Sequence, residues 1–232
     1  MNFVFDVDGT LSESRKVIPI EFRLWFLKWM KDHNVFIVTG SDRVKTLEQI
    51  GHEIVDDCTM VFQCAGNSVW RKGIEVQSTQ LNAPDDMEQW LQTMVDMSQY
   101  KHKFGNHIEK RTGLINFSTV GRNAEGEQRD EYFAWDQETH ERRTICQMFN
   151  KTFPGFEAEL GGNTSIDIHL KGKNKAQVYD VIGGPMIFFG DRIHEYGNDK
   201  PLADKMIHPD DKWHQVQGPN DTWNLLLKYY CD

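Results

Sequence analysis

Several features that would place a chain outside a reducing, aqueous compartment are missing here. The four cysteines, Cys58, Cys64, Cys146 and Cys231, form no C-x-x-C pair and no zinc-ligand spacing. They read as reduced thiols rather than a disulfide framework. No stretch approaches the roughly 20 apolar residues that a membrane-spanning helix needs. The N-terminus has no basic segment, and Asp6 and Asp8 interrupt its apolar run at once, so no signal peptide is expected. A basic excess is also missing: 26 Lys+Arg stand against 35 Asp+Glu, a formal charge of -9. Such a chain is a poor general binder of nucleic acid or anionic membrane, although a local basic pocket stays open. Repeats, low-complexity tracts and long Pro/Ser linkers are absent. The expectation is a soluble cytoplasmic protein without nucleic-acid or membrane partners. At 232 residues it can bury a real core, as one domain with a large insertion or as two small domains.

What is present begins with Phe3-Val4-Phe5-Asp6-Val7-Asp8-Gly9-Thr10-Leu11. Two carboxylates two residues apart follow a continuous apolar run. They would share a face only if the strand continued to Asp8. Gly9 is expected to bend the chain there, so that the Asp8 carboxylate and carbonyl are aimed separately. Like charges this close raise each other's pKa or recruit a cation, and Mg²⁺ suits oxygen donors. Alone, the pair reads better as a strand ending in a solvated acidic turn.

Further along, Phe22, Trp25, Phe26, Trp29 and Met30 follow helical spacing within 19–33. Val35 to Val38 reads as a strand that stops at Thr39-Gly40-Ser41-Asp42, and Ser41 or Asp42 caps a helix that Gly51 closes. Strand, helix, strand of these lengths reads as a βαβ unit with a parallel sheet. Met60 to Gln63 is a third strand, with a hairpin after it. From about Thr79 the pattern changes to helix 84–100, a hairpin across Thr112-Gly113, helix 127–150, and two strands around Gly161-Gly162. The parallel pattern returns after Lys171, with helix 173–181 and strand 185–189 ending at Gly190-Asp191. The fold expected is α/β, with a parallel-sheet Rossmann-like core over 1–78 and 171–232. An α+β insertion occupies 79–170.

In open parallel sheets, sites form beyond the carboxyl ends of the strands. This chain places Asp6, Asp8, Thr39, Ser41, Asp42 and Asp191 there, with Lys175 and Asn198-Asp199 nearby. Three carboxylates, a hydroxyl and a lysine suit phosphoryl transfer to an aspartate. One Asp attacks phosphorus, a second handles the proton, and a third holds Mg²⁺, while Lys175 and Thr39 neutralise phosphate oxygens.

These four ordered segments resemble the motifs of the haloacid-dehalogenase superfamily. The resemblance implies Asp6 as nucleophile and Asp8 as general acid/base. It also implies Mg²⁺ held by Asp6, the Asp8 carbonyl and Asp191. The run Arg111 to Asn123, then Arg129 and Tyr132, then Gly161 to Asp167, is similar to the eukaryotic-type phosphomannomutases of that superfamily. So are Ser12 to Arg15, Gly197-Asn198-Asp199 and Gln217 to Thr222. The insertion is then a specificity cap. Arg15, Arg111, Arg122, Arg129, Ser165 and Asp167 would bind a phosphosugar, and a hexose 1,6-bisphosphate would serve as activator. A homodimer through the cap is implied too. Arginine forks match phosphate oxygens, so three of them on a hairpin and the next helix could hold a phosphate that is not being transferred. Ser165 and Asp167, i and i+2 on a strand, offer a hydroxyl to phosphate and a carboxylate to sugar hydroxyls.

Thr119 stands where the family usually has Pro, and Thr39 replaces a usual Gly. Since Thr39 is common in hydrolases of the superfamily, a sugar-phosphate phosphatase is the alternative to a phosphohexomutase. A non-catalytic phosphosugar-binding protein is the second alternative. His107, His140 and His169 show no metal spacing and read as surface or core residues.

Overall fold

The structure is a computed structural model in which residues 1–231 are described, and the chain forms two units. The first comprises Met1–Ser78, Lys173–Glu195 and the chain from Asp199 onward. It opens with β1 (Asn2–Phe5), buried from Phe3 on, as a strand covered on both faces must be. Helix α1 (Ile20–Trp29) buries Phe22, Phe26 and Trp29 at helical spacing and ends in a 3₁₀ turn at Met30–Asp32. After β2 (Asn34–Val38), α2 (Arg43–Asp57) starts at Asp42, whose carboxylate accepts the Lys45 N–H at 2.9 Å. Gly51 interrupts this helix with φ 81° but does not close it. The chain resumes helically through Asp57 because Ile54 and Val55 still find places in the core. β3 (Met60–Gln63) then leads into a hairpin of β4 (Ser68–Arg71) and β5 (Ile74–Ser78).

The second unit, Thr79–Gly172 with Tyr196–Asn198, carries α3 (Asp85–Met97), β6 (Ile108–Arg111) and β7 (Leu114–Phe117). Two helices, α4 (Gly126–Thr139) and α5 (Glu141–Thr152), replace the single one predicted over 127–150. The chain turns at His140, φ 55°. Arg142 secures that corner from inside. Its backbone N–H and Nε donate to the Asp136 carboxylate at 2.9 and 2.8 Å, and Nη1 donates to the carbonyls of Gly161, Gly162 and Ser165. β8 (Phe156–Gly161) and β9 (Ser165–Leu170) complete an antiparallel sheet ordered β6-β7-β9-β8. Ile115, Phe117, Ile166 and Ile168 cluster with Leu91 of α3 and Phe149 of α5. Alternation therefore turns Asn116, Ser165, Asp167 and His169 to the opposite face.

Returning to the first unit, the chain adds α6 (Gln177–Ile182), β10 (Met186–Gly190), α7 (Lys200–Lys205), β11 (Lys212–Gln215) and α8 (Pro219–Tyr229). The helix predicted over 173–181 starts later, at Gln177, which leaves Lys175 in the turn before it. The sheet is ordered β11-β10-β1-β2-β3-β4-β5, parallel through β3 and antiparallel at the β4–β5 edge. The strand order reverses direction at β1, so the crevice of this sheet opens beside it.

Candidate active site

The register sets Phe5 beside Ile37 on one side and Phe189 on the other. Asp6, Thr39 and Asp191 therefore leave three neighbouring strands at the same end of the sheet. The Asp6 N–H donates to the Phe189 carbonyl at 2.9 Å, which holds its backbone against β10. Lys175 joins them from its turn. Its ammonium, 1% exposed, donates to Asp6 Oδ1 and Asp199 Oδ1, both at 2.6 Å. Asp199 in turn accepts the Arg192 N–H at 3.0 Å. Asp199 has no role among the sequence expectations; its burial beside Lys175 is what singles it out.

Asp6, Asp191 and Asp199 each offer a carboxylate oxygen within 4.8 Å of the others. Burial lifts the Asp6 carboxyl well above the usual range; Lys175 opposes the rise, while Asp199 and Asp191 add to it. Asp191 is pushed up to about 7, by burial first, with Arg192 opposing and Asp199 adding. Lys175 stays protonated because Asp199 and Asp6 outweigh its own burial. Three clustered carboxyl groups against one buried ammonium would, once all ionised, leave an excess of negative charge on oxygen donors. That donor set fits a hard divalent cation. Gly9 and Gly190 make the cluster possible. A Cβ at Gly9, φ +83°, would lie 2.5 Å from Asp191 Oδ2, and one at Gly190 would lie 2.6 Å from Asp199 Oδ2.

Asp8 stands apart from that cluster, as the bend at Gly9 predicts. Its Oδ1 accepts the Arg15 backbone N–H at 2.9 Å and Gln49 Nε2 at 3.0 Å, and its Oδ2 accepts Ser41 Oγ at 3.2 Å. Lys45 lies 3.6 Å away. Burial alone would raise this carboxyl, but Lys45, the Arg15 N–H, Gln49 and Ser41 together hold it at about 2. Thr39 is buried, its Oγ1 accepting the Ser41 N–H at 3.1 Å. Arg15 thus meets Asp8 through its backbone, at φ 61°. Lys45 and Gln49, one turn apart on α2, were missed; their i, i+4 spacing on a helix that leaves the strand end was the available signal.

A second polar set lies in the other unit. Arg122 Nη1 donates to Ser165 Oγ at 2.9 Å, and the Nε atoms of Arg122 and Arg111 reach the two oxygens of Glu109 at 2.9 and 2.6 Å. Glu109 is thus a bridge between two of the predicted arginines. Burial raises it, but the two arginines win and hold it at about 2. Asp167 accepts Asn116 Nδ2 at 2.5 Å, from the residue directly opposite on β7. Arg129 is half-buried on α4. Neither Glu109 nor Asn116 is among the site residues that the sequence predicts. Glu109 stands two residues from Arg111 on a strand, a same-face position that could have identified it.

A buried aspartate salt-bridged to lysine at the switch point of a parallel α/β sheet, with two further carboxylates beside it, agrees with the haloacid-dehalogenase superfamily that the ordered sequence motifs resemble. Solved structures share the fold. The C. albicans trehalose-6-phosphate phosphatase C-terminal domain superposes with a TM-score of 0.64 at 15% identity, covering 97% of this chain and 89% of that one. A haloacid dehalogenase-like hydrolase from Bacteroides thetaiotaomicron gives 0.58 at 10% identity, covering 98% of each. The chain belongs to the eukaryotic phosphomannomutase family, whose family model matches residues 23–231. It is 31% identical to the phosphomannomutase of Saccharomyces cerevisiae over 98% of this chain and 93% of that protein. It is 30% identical to that of Spinacia oleracea over 98% and 94%. It is accordingly an enzyme of phosphoryl transfer. No described helix is long and apolar enough to cross a membrane.

Proposed function

We propose that this chain is a Mg²⁺-dependent phosphohexomutase that interconverts the 1- and 6-phosphates of mannose or glucose through an aspartyl-phosphate on Asp6. What supports the reading is a second cluster of cationic and hydroxyl groups, Arg111 and Arg122 bridged by Glu109 and reaching Ser165, on the same chain as the Lys175-paired Asp6. Hydrolysis needs only one phosphate site; a mutase must hold the phosphate that is not being transferred. In this reading residues 79–170 are the cap that chooses the sugar and keeps water from the intermediate.

Asp6 and Asp191, with the Asp8 carbonyl, would hold Mg²⁺, which supplies neutralising charge at the phosphoryl oxygens. Lys175 engages Asp6 Oδ1, which leaves Oδ2 to attack phosphorus. Asp8 is ionised in the resting chain, so it serves first as a base. It takes the proton of the sugar hydroxyl that attacks the phosphoryl group on Asp6. The bisphosphate so formed reorients, Asp6 attacks its other phosphate, and Asp8 returns the proton to the departing sugar oxygen. Protons and phosphoryl groups then balance over the cycle. A hexose 1,6-bisphosphate is the species that loads Asp6 at the start; in that first transfer the departing sugar oxygen takes its proton from solvent by way of Asp8. In this reading Arg129 and Asp167 bind substrate from the second unit, Asp167 toward sugar hydroxyls, and Arg15 binds it from the first. A homodimer through the cap and a cytoplasmic setting are parts of the proposal that rest on the family resemblance and the cysteine pattern.

Incubation with Mg²⁺ and mannose 1-phosphate, with and without a hexose bisphosphate, tests this. Bisphosphate-stimulated formation of the 6-phosphate is expected. Free phosphate without isomerisation would replace the mutase by a phosphatase, and neither product would leave a binding role.

A further inference from the structure

The sheet of the second unit brings together a third cluster, one that sequence spacing does not reveal. Glu157 and Glu159 occupy i and i+2 on β8 and share a face, and the antiparallel register sets Glu157 directly opposite His169 of β9. One carboxylate oxygen from each glutamate and one imidazole nitrogen lie within 4.8 Å of one another. His169 is 0% exposed. Its Nδ1 lies 3.0 Å from the Leu170 carbonyl, which can only accept, so Nδ1 carries a proton. Nε2 is then the nitrogen turned to the glutamates. It makes no hydrogen bond; Glu159 Oε2, at 3.5 Å, is too far for one. A buried nitrogen without a hydrogen-bond partner, aimed at two carboxylates, presents with them a donor set that a cation could join.

We infer that Glu157, Glu159 and His169 form a site for a divalent first-row transition ion, Zn²⁺ by its donor set, separate from the Asp6 cluster. Two carboxylates with one imidazole make a mixed oxygen and nitrogen set, which favours Zn²⁺ over Mg²⁺, an ion that prefers oxygen alone. The hydrogen bond from Nδ1 to a backbone carbonyl is the usual outer-shell support of a metal-ligating histidine; it fixes the tautomer and ring orientation. Three protein ligands leave a fourth position to water. Alternation along β9 puts His169 on the same face as Ser165 and Asp167. The ion would therefore clamp the two strands whose hairpin carries those residues. A proton on Nε2, ion-paired to Glu159, is the competing occupant.

Zn²⁺ binding is measured by calorimetry on the full chain in excess Mg²⁺, for wild type, the Asp191→Asn variant, and the Glu157→Gln/Glu159→Gln double variant. The expected result is one Zn²⁺ per chain retained in Asp191→Asn. In the double variant it weakens by more than the about 10–100-fold that losing one outer-shell partner costs. Equal Zn²⁺ binding in the double variant and wild type overturns the proposal, as does loss in Asp191→Asn alone. Mn²⁺ supplies a readout that does not depend on variant folding. In Mg²⁺-saturated wild type it should selectively broaden the His169 ring resonances, and unbroadened resonances mean that the proton is the occupant.

Discussion

Lys175→Met removes the ammonium that lies 2.6 Å from both Asp6 and Asp199 and keeps most of its volume. Taking one partner out of a buried ion pair costs about 3–5 kcal/mol, because an uncompensated charge is left behind. The variant has one escape, which is to protonate a carboxylate. Asp6 is already raised above its ordinary value of 3.8 by burial and by its neighbours, so that escape is cheap and the lower figure, about 3 kcal/mol at pH 7, applies. The sign with pH follows. A carboxyl whose folded pKa lies above its unfolded one stabilises most below the unfolded value, and that contribution fades as pH rises through the folded value. The deficit of Lys175→Met relative to wild type should therefore shrink between pH 7 and pH 5. Urea unfolding at both values, extrapolated to water, measures it. Added Mg²⁺ should also narrow the gap by returning positive charge to the cluster. A difference under about 1 kcal/mol at both pH values would show that the lysine is not offsetting buried negative charge, and the electrostatic account of the site would fail.

Three further outcomes are expected. Asp8→Asn should lower turnover by the about 10²–10⁴-fold that general acid–base catalysis contributes, with substrate affinity by calorimetry little changed; turnover near wild type would remove Asp8 from the proton path. Arg122→Ala should raise KM for a hexose phosphate about 10- to 100-fold, the worth of a charge-assisted hydrogen bond, yet spare hydrolysis of a small aryl phosphate. Equal losses on both substrates would mark the arginine as structural. Glu109 is held at about 2, so its pairing with Arg111 and Arg122 stabilises above its ordinary 4.5 and is lost as pH falls from there toward 2. With the side chain 32% exposed, solvent screens the pair, and Glu109→Gln should cost only about 1 kcal/mol at pH 7. Its stability should then be flatter than that of wild type between pH 4.5 and pH 2.5, and parallel acid limbs would count against the bridge.

Strand ends were the most legible part of the chain. Asp6, Thr39 and Asp191 each follow an apolar run directly, and a parallel sheet gathers such ends by construction. Element boundaries were less so where a single residue redirected the chain. His140 splits one predicted helix into two because Asp136 and Arg142 pair across the corner, and nothing in the helical periodicity of 127–150 signals that. Gly51 breaks α2 locally without ending it, since packing of Ile54 and Val55 outweighs one unfavourable residue.

The sequence alone determined which residues stand at the sheet edge and which kind of chemistry they suit, because period and order along the chain carry that information. Tertiary structure decided the partners. Lys175 meets Asp199 as well as Asp6, Glu109 joins Arg111 to Arg122, and His169 faces Glu157 and Glu159. Each of these is a matter of strand register or of a turn folding back. Apart from the two-residue step from Glu109 to Arg111, which alternation along one strand makes legible, the sequence spacing between the partners says nothing about either.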